Sequence, residues 1–181
     1  ERITDYLEYI LGKGVGPLFS VSGPEFVSAP LFGPNEFAEM VVKYEGGIAK
    51  IVHEYNGLVW VHCHGGIRRV LDHFISTGID GLQPIDTPPY GDTSLEEARR
   101  KLQGKVCMIG GIQVGDIYKD PKEVVEQKVR EVIYKWGSDG FILGLSADLY
   151  SGIDDVILEK LKAIIDIHIK YNTFPKRAVE E

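Results

Sequence analysis

His62 and His64 stand two residues apart at the end of a hydrophobic run, Val59-Trp60-Val61-His62-Cys63-His64-Gly65-Gly66. On an extended strand alternate side chains share a face, so Trp60, His62 and His64 point one way and Cys63 the other. Two imidazoles placed like this can converge on one metal ion or one anionic substrate. The competing reading is structural: a strand-end histidine hydrogen-bonds its surroundings, and Cys63 is a small buried hydrophobe. A zinc site would also need a third protein ligand from elsewhere.

The pattern of Ile67, Val70, Leu71 and Phe74 begins a helix directly after the glycines. The same strand-then-helix order recurs along the chain. A helix over Ile3 to Leu11 closes at Gly12 or Gly14, and Leu18 to Ser22 forms the first strand. A long Pro/Gly-bearing loop, Ser22 to Pro34, follows as a candidate functional loop. The next helix starts near Asn35 and runs to Val52, with Gly46-Gly47 weakening its middle. Strands are expected at Leu58 to His64, Gly81 to Asp86, Val106 to Ile112 and Phe141 to Ser146. Helix starts are marked by the capping box Ser94-Leu95-Glu96-Glu97 and by Asp120-Pro121-Lys122-Glu123, where the acid is the expected N-cap and the proline the first helical residue. A last helix is expected from Ile153 to about Tyr171, with a polar tail over 172–181.

Five apolar strands alternating with helices imply an α/β fold with a parallel sheet. Polar residues gather after the strands: Glu25, His62 and His64, Asp86, Gln113 and Asp148. Function at the carboxyl end of successive strands is the habit of a (β/α)8 barrel, and five units make only part of one; an open doubly wound sheet is the alternative. The chain is therefore read as one domain over 1–181. It opens inside a helical pattern without an initiator Met, which suggests a piece of a longer protein.

Composition narrows the class. The 181 residues carry 44% hydrophobic and 26% charged side chains, as ordinary globular proteins do. A net charge of −7 argues against a nucleic-acid-binding surface. Cys63 and Cys107 lie in apolar runs, which fits a reducing, cytoplasmic setting better than a disulfide scaffold. No apolar run approaches the ~20 residues of a membrane span.

The order of these motifs resembles the C-terminal part of the uroporphyrinogen decarboxylase family, which also contains methylcobalamin:coenzyme M methyltransferases. The likeness rests on His62-Cys63-His64-Gly65, the strand-end Asp86, the Pro-Pro-x-Gly-Asp loop and helix from Pro88 to Arg99, the strand end Gly110-Gly111-Ile112-Gln113, the helix start at Asp120-Pro121, and the last strand Phe141-Ile142-Leu143. It spans about Gly16 to Tyr171.

In the methyltransferase branch, the resemblance implies, His62 and His64 match a zinc-binding pair in which His64 replaces a cysteine. The family's later cysteine falls near Ala147, so Asp148, or Glu25 from the long loop, is the expected third ligand. Zinc would activate a thiol to take a methyl group from a corrinoid. The alternative activity is decarboxylation of a tetrapyrrole, for which the family's substrate-gripping arginine and catalytic aspartate are expected in the N-terminal part. Glu25 and Asp86 are the candidate catalytic residues, and Tyr90 and Gln113 the candidate substrate-binding ones, for either activity. The histidine that decarboxylases carry near Ala147 is absent, and few arginines occupy the expected site loops. A third reading is a catalytically silent segment that forms a homodimer or docks on a missing N-terminal half through exposed strand edges.

Each residue also has a plainer role. Asp86 could cap a turn, Glu25 could be a solvated loop acid, Asp92 could order its own loop, and Tyr90 could simply pack. Asp154 and Asp155 favour a helix N-terminus. His53, His73 and His168 read as surface residues on helices, and Trp60 as packing.

Overall fold

In a computed structural model, residues 2–137 and 139–171 are described. The expected polar tail lies outside them. The elements are α1 (Arg2–Gly12), β1 (Leu18–Ser22), a 3₁₀ turn (Pro24–Val27), α2 (Pro34–Phe37), a π-helical turn (Ala38–Val42), α3 (Lys43–Glu54), β2 (Leu58–His62), a 3₁₀ turn (Arg68–Val70), α4 (Leu71–Thr77), β3 (Gly81–Gln83), α5 (Leu95–Leu102), β4 (Cys107–Ile112), α6 (Val114–Lys119), α7 (Lys122–Trp136), β5 (Phe141–Leu145) and α8 (Asp155–Tyr171). The strands form one sheet in the order β1-β2-β3-β4-β5, with β1, β2, β3 and β4 parallel in register. This is the α/β layout of five strand–helix units, consistent with part of a (β/α)8 barrel. No described helix is long and apolar enough to cross a membrane.

The described residues divide into two compact units, one ending at Ile109 and the other beginning at Gly110. In the first unit, Val59, Val61 and Cys63 are buried on one side of β2, with Phe37, Val52, Leu71 and Phe74 among the large buried side chains of the same unit. α3 runs unbroken through Gly46-Gly47. A π turn over Ala38–Val42 precedes α3.

Four strands are shorter than expected, β4 and β5 by one residue each, starting at Cys107 and ending at Leu145. β3 stops at Gln83 because Pro84 has no N–H to offer the ladder. β2 stops at His62, although Cys63 N–H still donates to Gln83 O at 2.7 Å.

In the second unit, α6 was not anticipated, and α7 begins one residue later than expected, with Pro121 as its N-cap. Asp120 instead accepts from Lys128 Nζ at 2.6 Å. At α5 half of the expected capping box forms: Ser94 Oγ accepts from Glu97 N–H at 3.1 Å, while the Glu97 carboxylate turns to Arg68. Asp154 Oδ1 accepts from Ile157 N–H at 2.8 Å and caps α8. Lys160 is buried on α8, its ammonium donating to the Ile117 carbonyl at 2.8 Å.

Candidate functional site

The site in the first unit is built where β2 and β3 end. The parallel register sets His62 beside Gln83, and His62 Nδ1–H donates to Gln83 Oε1 at 3.2 Å. Two residues on, His64 Nδ1–H donates to Asp86 Oδ2 at 2.8 Å. The same oxygen accepts from Gly65 N–H at 3.0 Å. The imidazoles meet edge to face with centroids 4.6 Å apart. Asp86 is buried while His64 remains partly open to solvent.

This arrangement fixes both rings. Each Nδ1 carries its proton toward an oxygen acceptor, so each Nε2 presents a lone pair, and neither Nε2 has a hydrogen-bond partner among the described residues. Metal-ligating histidines are oriented in this way, with the outer N–H held by a carboxylate or carbonyl oxygen.

The glycine corner behind the pair is tight. A Cβ on Gly91 would overlap the Asp86 carbonyl and lie 2.6 Å from the Gly65 carbonyl, so glycine lets this loop close against both. Asp92 orders more than its own loop: Oδ1 accepts from Arg68 N–H at 3.0 Å and from the Thr93 hydroxyl at 2.9 Å. Arg68 is in turn paired with Glu97 at 2.9 Å. The long loop reaches the same corner, Ala29 forming an antiparallel bridge with Gly66.

Glu25 lies on the 3₁₀ turn Pro24–Val27, and its charge acts on Glu45 of α3 and on Cys63. Burial, followed by the charge of Glu25, raises the Glu45 carboxyl to about 7. Burial also pushes the Cys63 thiol up, and Glu25, Glu45 and Asp86 add to the effect. Cys63 is fully buried, as the strand alternation requires. Tyr90 is half-buried at the β3 loop. Trp60 is held by its ring N–H, which donates to Ser20 Oγ on β1.

In the second unit, Gln113 is the buried N-cap of α6, and Ser146 Oγ accepts from Val114 N–H at 3.1 Å. Asp148 is exposed after β5. Among the described residues, no three His, Cys, Asp or Glu side chains are gathered so as to hold a metal ion. The donor chemistry of His62 and His64 fits two positions of a zinc site.

Sequence reading did not single out Gln83, Gly91 or Glu45. Gln83 carried a signal, a polar side chain closing an apolar strand. Glu45 carried one as well, lying four residues from both Val41 and Ala49 on the buried helix face.

Parallel strands with histidines and a carboxylate at their carboxyl ends match the layout of a barrel-type α/β domain. The family model for uroporphyrinogen decarboxylase (URO-D) matches residues 2–171, and the chain belongs to that family. Among solved structures, a methyltransferase from Methanosarcina mazei is similar in fold, with a TM-score of 0.69 and 15% identity. The match covers 93% of this chain and 47% of that one, so the chain spans about half the length of the methyltransferase. No curated protein matches by sequence.

Proposed function

We propose that this chain carries the imidazole pair of a methyl-transfer enzyme, in which His62 and His64 are two protein ligands of a zinc ion and the methyl group passes from a corrinoid to a thiol. One observation carries this reading. Both Nδ1 atoms are committed to Gln83 and Asp86, leaving two adjacent Nε2 lone pairs without partners among the described residues. Zinc bound there would lower the pKa of the acceptor thiol and present it as a thiolate. Asp86 holds the His64 tautomer, Gln83 holds that of His62, and Gly91 lets the loop close behind them. A third ligand would come from outside this set of residues.

Tetrapyrrole decarboxylation is the second reading, favoured by the pairing of the partly exposed His64 with buried Asp86 as a proton carrier. Against it, Arg68 is committed to Glu97 instead of being available for substrate carboxylates.

The test is the zinc content of the purified protein and of His62→Ala/His64→Ala, by elemental analysis. About one zinc per chain, lost in the double variant, is expected. Equal zinc in both proteins, or none in either, overturns the metal reading for this chain.

A further inference from the structure

α3 and α4 bound a second open site, at the amino-terminal end of β2 and β3 and so at the other end of these strands from the histidine pair. A groove of about 400 Å³ is lined there by Gly46, Ala49, Lys50, His53 and Glu54 of α3 and by Thr77 and Gly78 at the end of α4. The α3 positions recur at intervals of three and four residues and therefore share one helix face. Gly46 and Ala49 keep the floor low and apolar, and the end of α4 comes close to it: a Cβ on Gly46 would lie 3.5 Å from the Thr77 carbonyl oxygen. Lys50, His53 and Glu54 are exposed.

The His53 imidazole is fastened in the same way as that of His64. Its Nε2–H donates to Asp80 Oδ2 at 2.8 Å, and the same oxygen accepts from Val59 N–H at 2.8 Å. Asp80 is fixed in turn by its backbone, which donates to the Val59 carbonyl at 2.8 Å and accepts from Cys107 N–H at 2.7 Å. A carboxylate only accepts, so Nε2 holds the ring proton and Nδ1 keeps a lone pair. That lone pair meets no hydrogen-bond donor among the described residues. Lys50 and Glu54 stand four residues apart on α3, yet neither forms an ion pair among the described residues. A solvated helix face accounts for Lys50 and Glu54 taken singly. It does not account for an oriented imidazole acceptor beside them, over a floor bare of large side chains.

The groove offers one cationic donor, the Lys50 ammonium, and two acceptors, the Glu54 carboxylate and His53 Nδ1. α3 and α4 both end at it, and the carboxyl ends of helices favour positive charge. A matching ligand carries an anionic group for Lys50 and a cationic donor for Glu54 and His53. We propose that this groove binds a small zwitterion of the α-amino-acid class, with its carboxylate on Lys50, its ammonium on Glu54 and His53 Nδ1, and its side chain over Gly46 and Ala49. The site stands apart from the zinc reading, since none of its residues belongs to the corner that holds His62 and His64.

Titration with L-leucine, followed by proton–nitrogen correlation NMR, tests the assignment. The reporters are the amides of Ala49, Lys50, His53 and Gly78, and those of His64, Gly65 and Gly66 are the control. The reporters should shift saturably with a Kd of about 1 mM, in keeping with so small a ligand in an open groove, while the control amides stay in place. Isoamylamine, which is leucine without its carboxylate, and isocaproate, which is leucine without its ammonium, should each bind about tenfold more weakly or worse. Lys50→Met and Glu54→Gln change exposed side chains and leave the fold intact. Each should weaken L-leucine binding about tenfold, the effect of losing one charge-assisted hydrogen bond. No saturable shift up to roughly 10 mM L-leucine, equal binding of either one-charge analogue, or unchanged binding in both variants overturns the proposal.

Discussion

The Asp86 carboxylate ties His64 to the turn that follows it: Oδ2 accepts from His64 Nδ1–H at 2.8 Å and from Gly65 N–H at 3.0 Å. Buried Asp86 thus fixes both the tautomer and the direction of the imidazole. Asp86→Ala would leave the ring N–H and a backbone N–H without an acceptor, each costing about 1–3 kcal/mol where water cannot replace it. Urea unfolding should show a loss in that range. Zinc affinity of the variant should drop about 10–100-fold, the usual effect of losing a carboxylate behind a ligating histidine. Unchanged affinity would remove Asp86 from the site.

Gly91 is the steric counterpart of that bond. An added methyl group would overlap the Asp86 carbonyl and press on that of Gly65, and backbone atoms yield far less than side-chain tips. Gly91→Ala should therefore destabilise the protein by about 1–3 kcal/mol in urea unfolding, the range for forced overpacking. Gly47→Ala is the control, because a Cβ there meets nothing within 4 Å. In mid-helix the control should be neutral or stabilising.

The strand–helix order was legible in the sequence because strand and helix periodicities differ and the capping signals at Ser94 and Asp154 act locally. The shared face of His62 and His64 was legible for the same reason, since alternation along one strand is a local rule. What lay across strands was not. Gln83 reaches His62 only through the register of β2 and β3, and Asp86 reaches His64 through a loop closure that depends on Gly91. Glu25 was read as a catalytic or ligand residue from its place after a strand. Its charge acts on Glu45, twenty residues on, and no spacing in the chain encodes that.

Cys63 should be chemically silent. It is fully buried, and burial together with three neighbouring carboxylates raises its thiol, which suppresses the reactive thiolate. Cys107 is also raised by burial but is only half-buried. Titration with a disulfide reagent in native buffer, followed by peptide mapping, should label Cys107 before Cys63. Both should react at once in denaturant. Rapid native labelling of Cys63 would show that its pocket opens far more often than the packing implies.

Stability should carry the signature of Glu45. Its carboxyl titrates at about 7 in the folded chain against 4.5 when solvated, chiefly because burial disfavours the charge. Below about 4.5 it is protonated in both states and costs nothing. Between 4.5 and 7 the unfolded chain releases the proton while the folded chain keeps it, so stability declines; above 7 the decline is complete. Glutamine mimics the protonated form, so Glu45→Gln should match the wild type near pH 5 and exceed it at pH 8. At about 1.4 kcal/mol per unit, discounted for a half-buried site screened by solvent, the excess should be about 1–2 kcal/mol. Urea midpoints of both proteins at pH 5, 6, 7 and 8 measure it directly. A difference that is constant across that range would mean that Glu45 is already solvated in the native state.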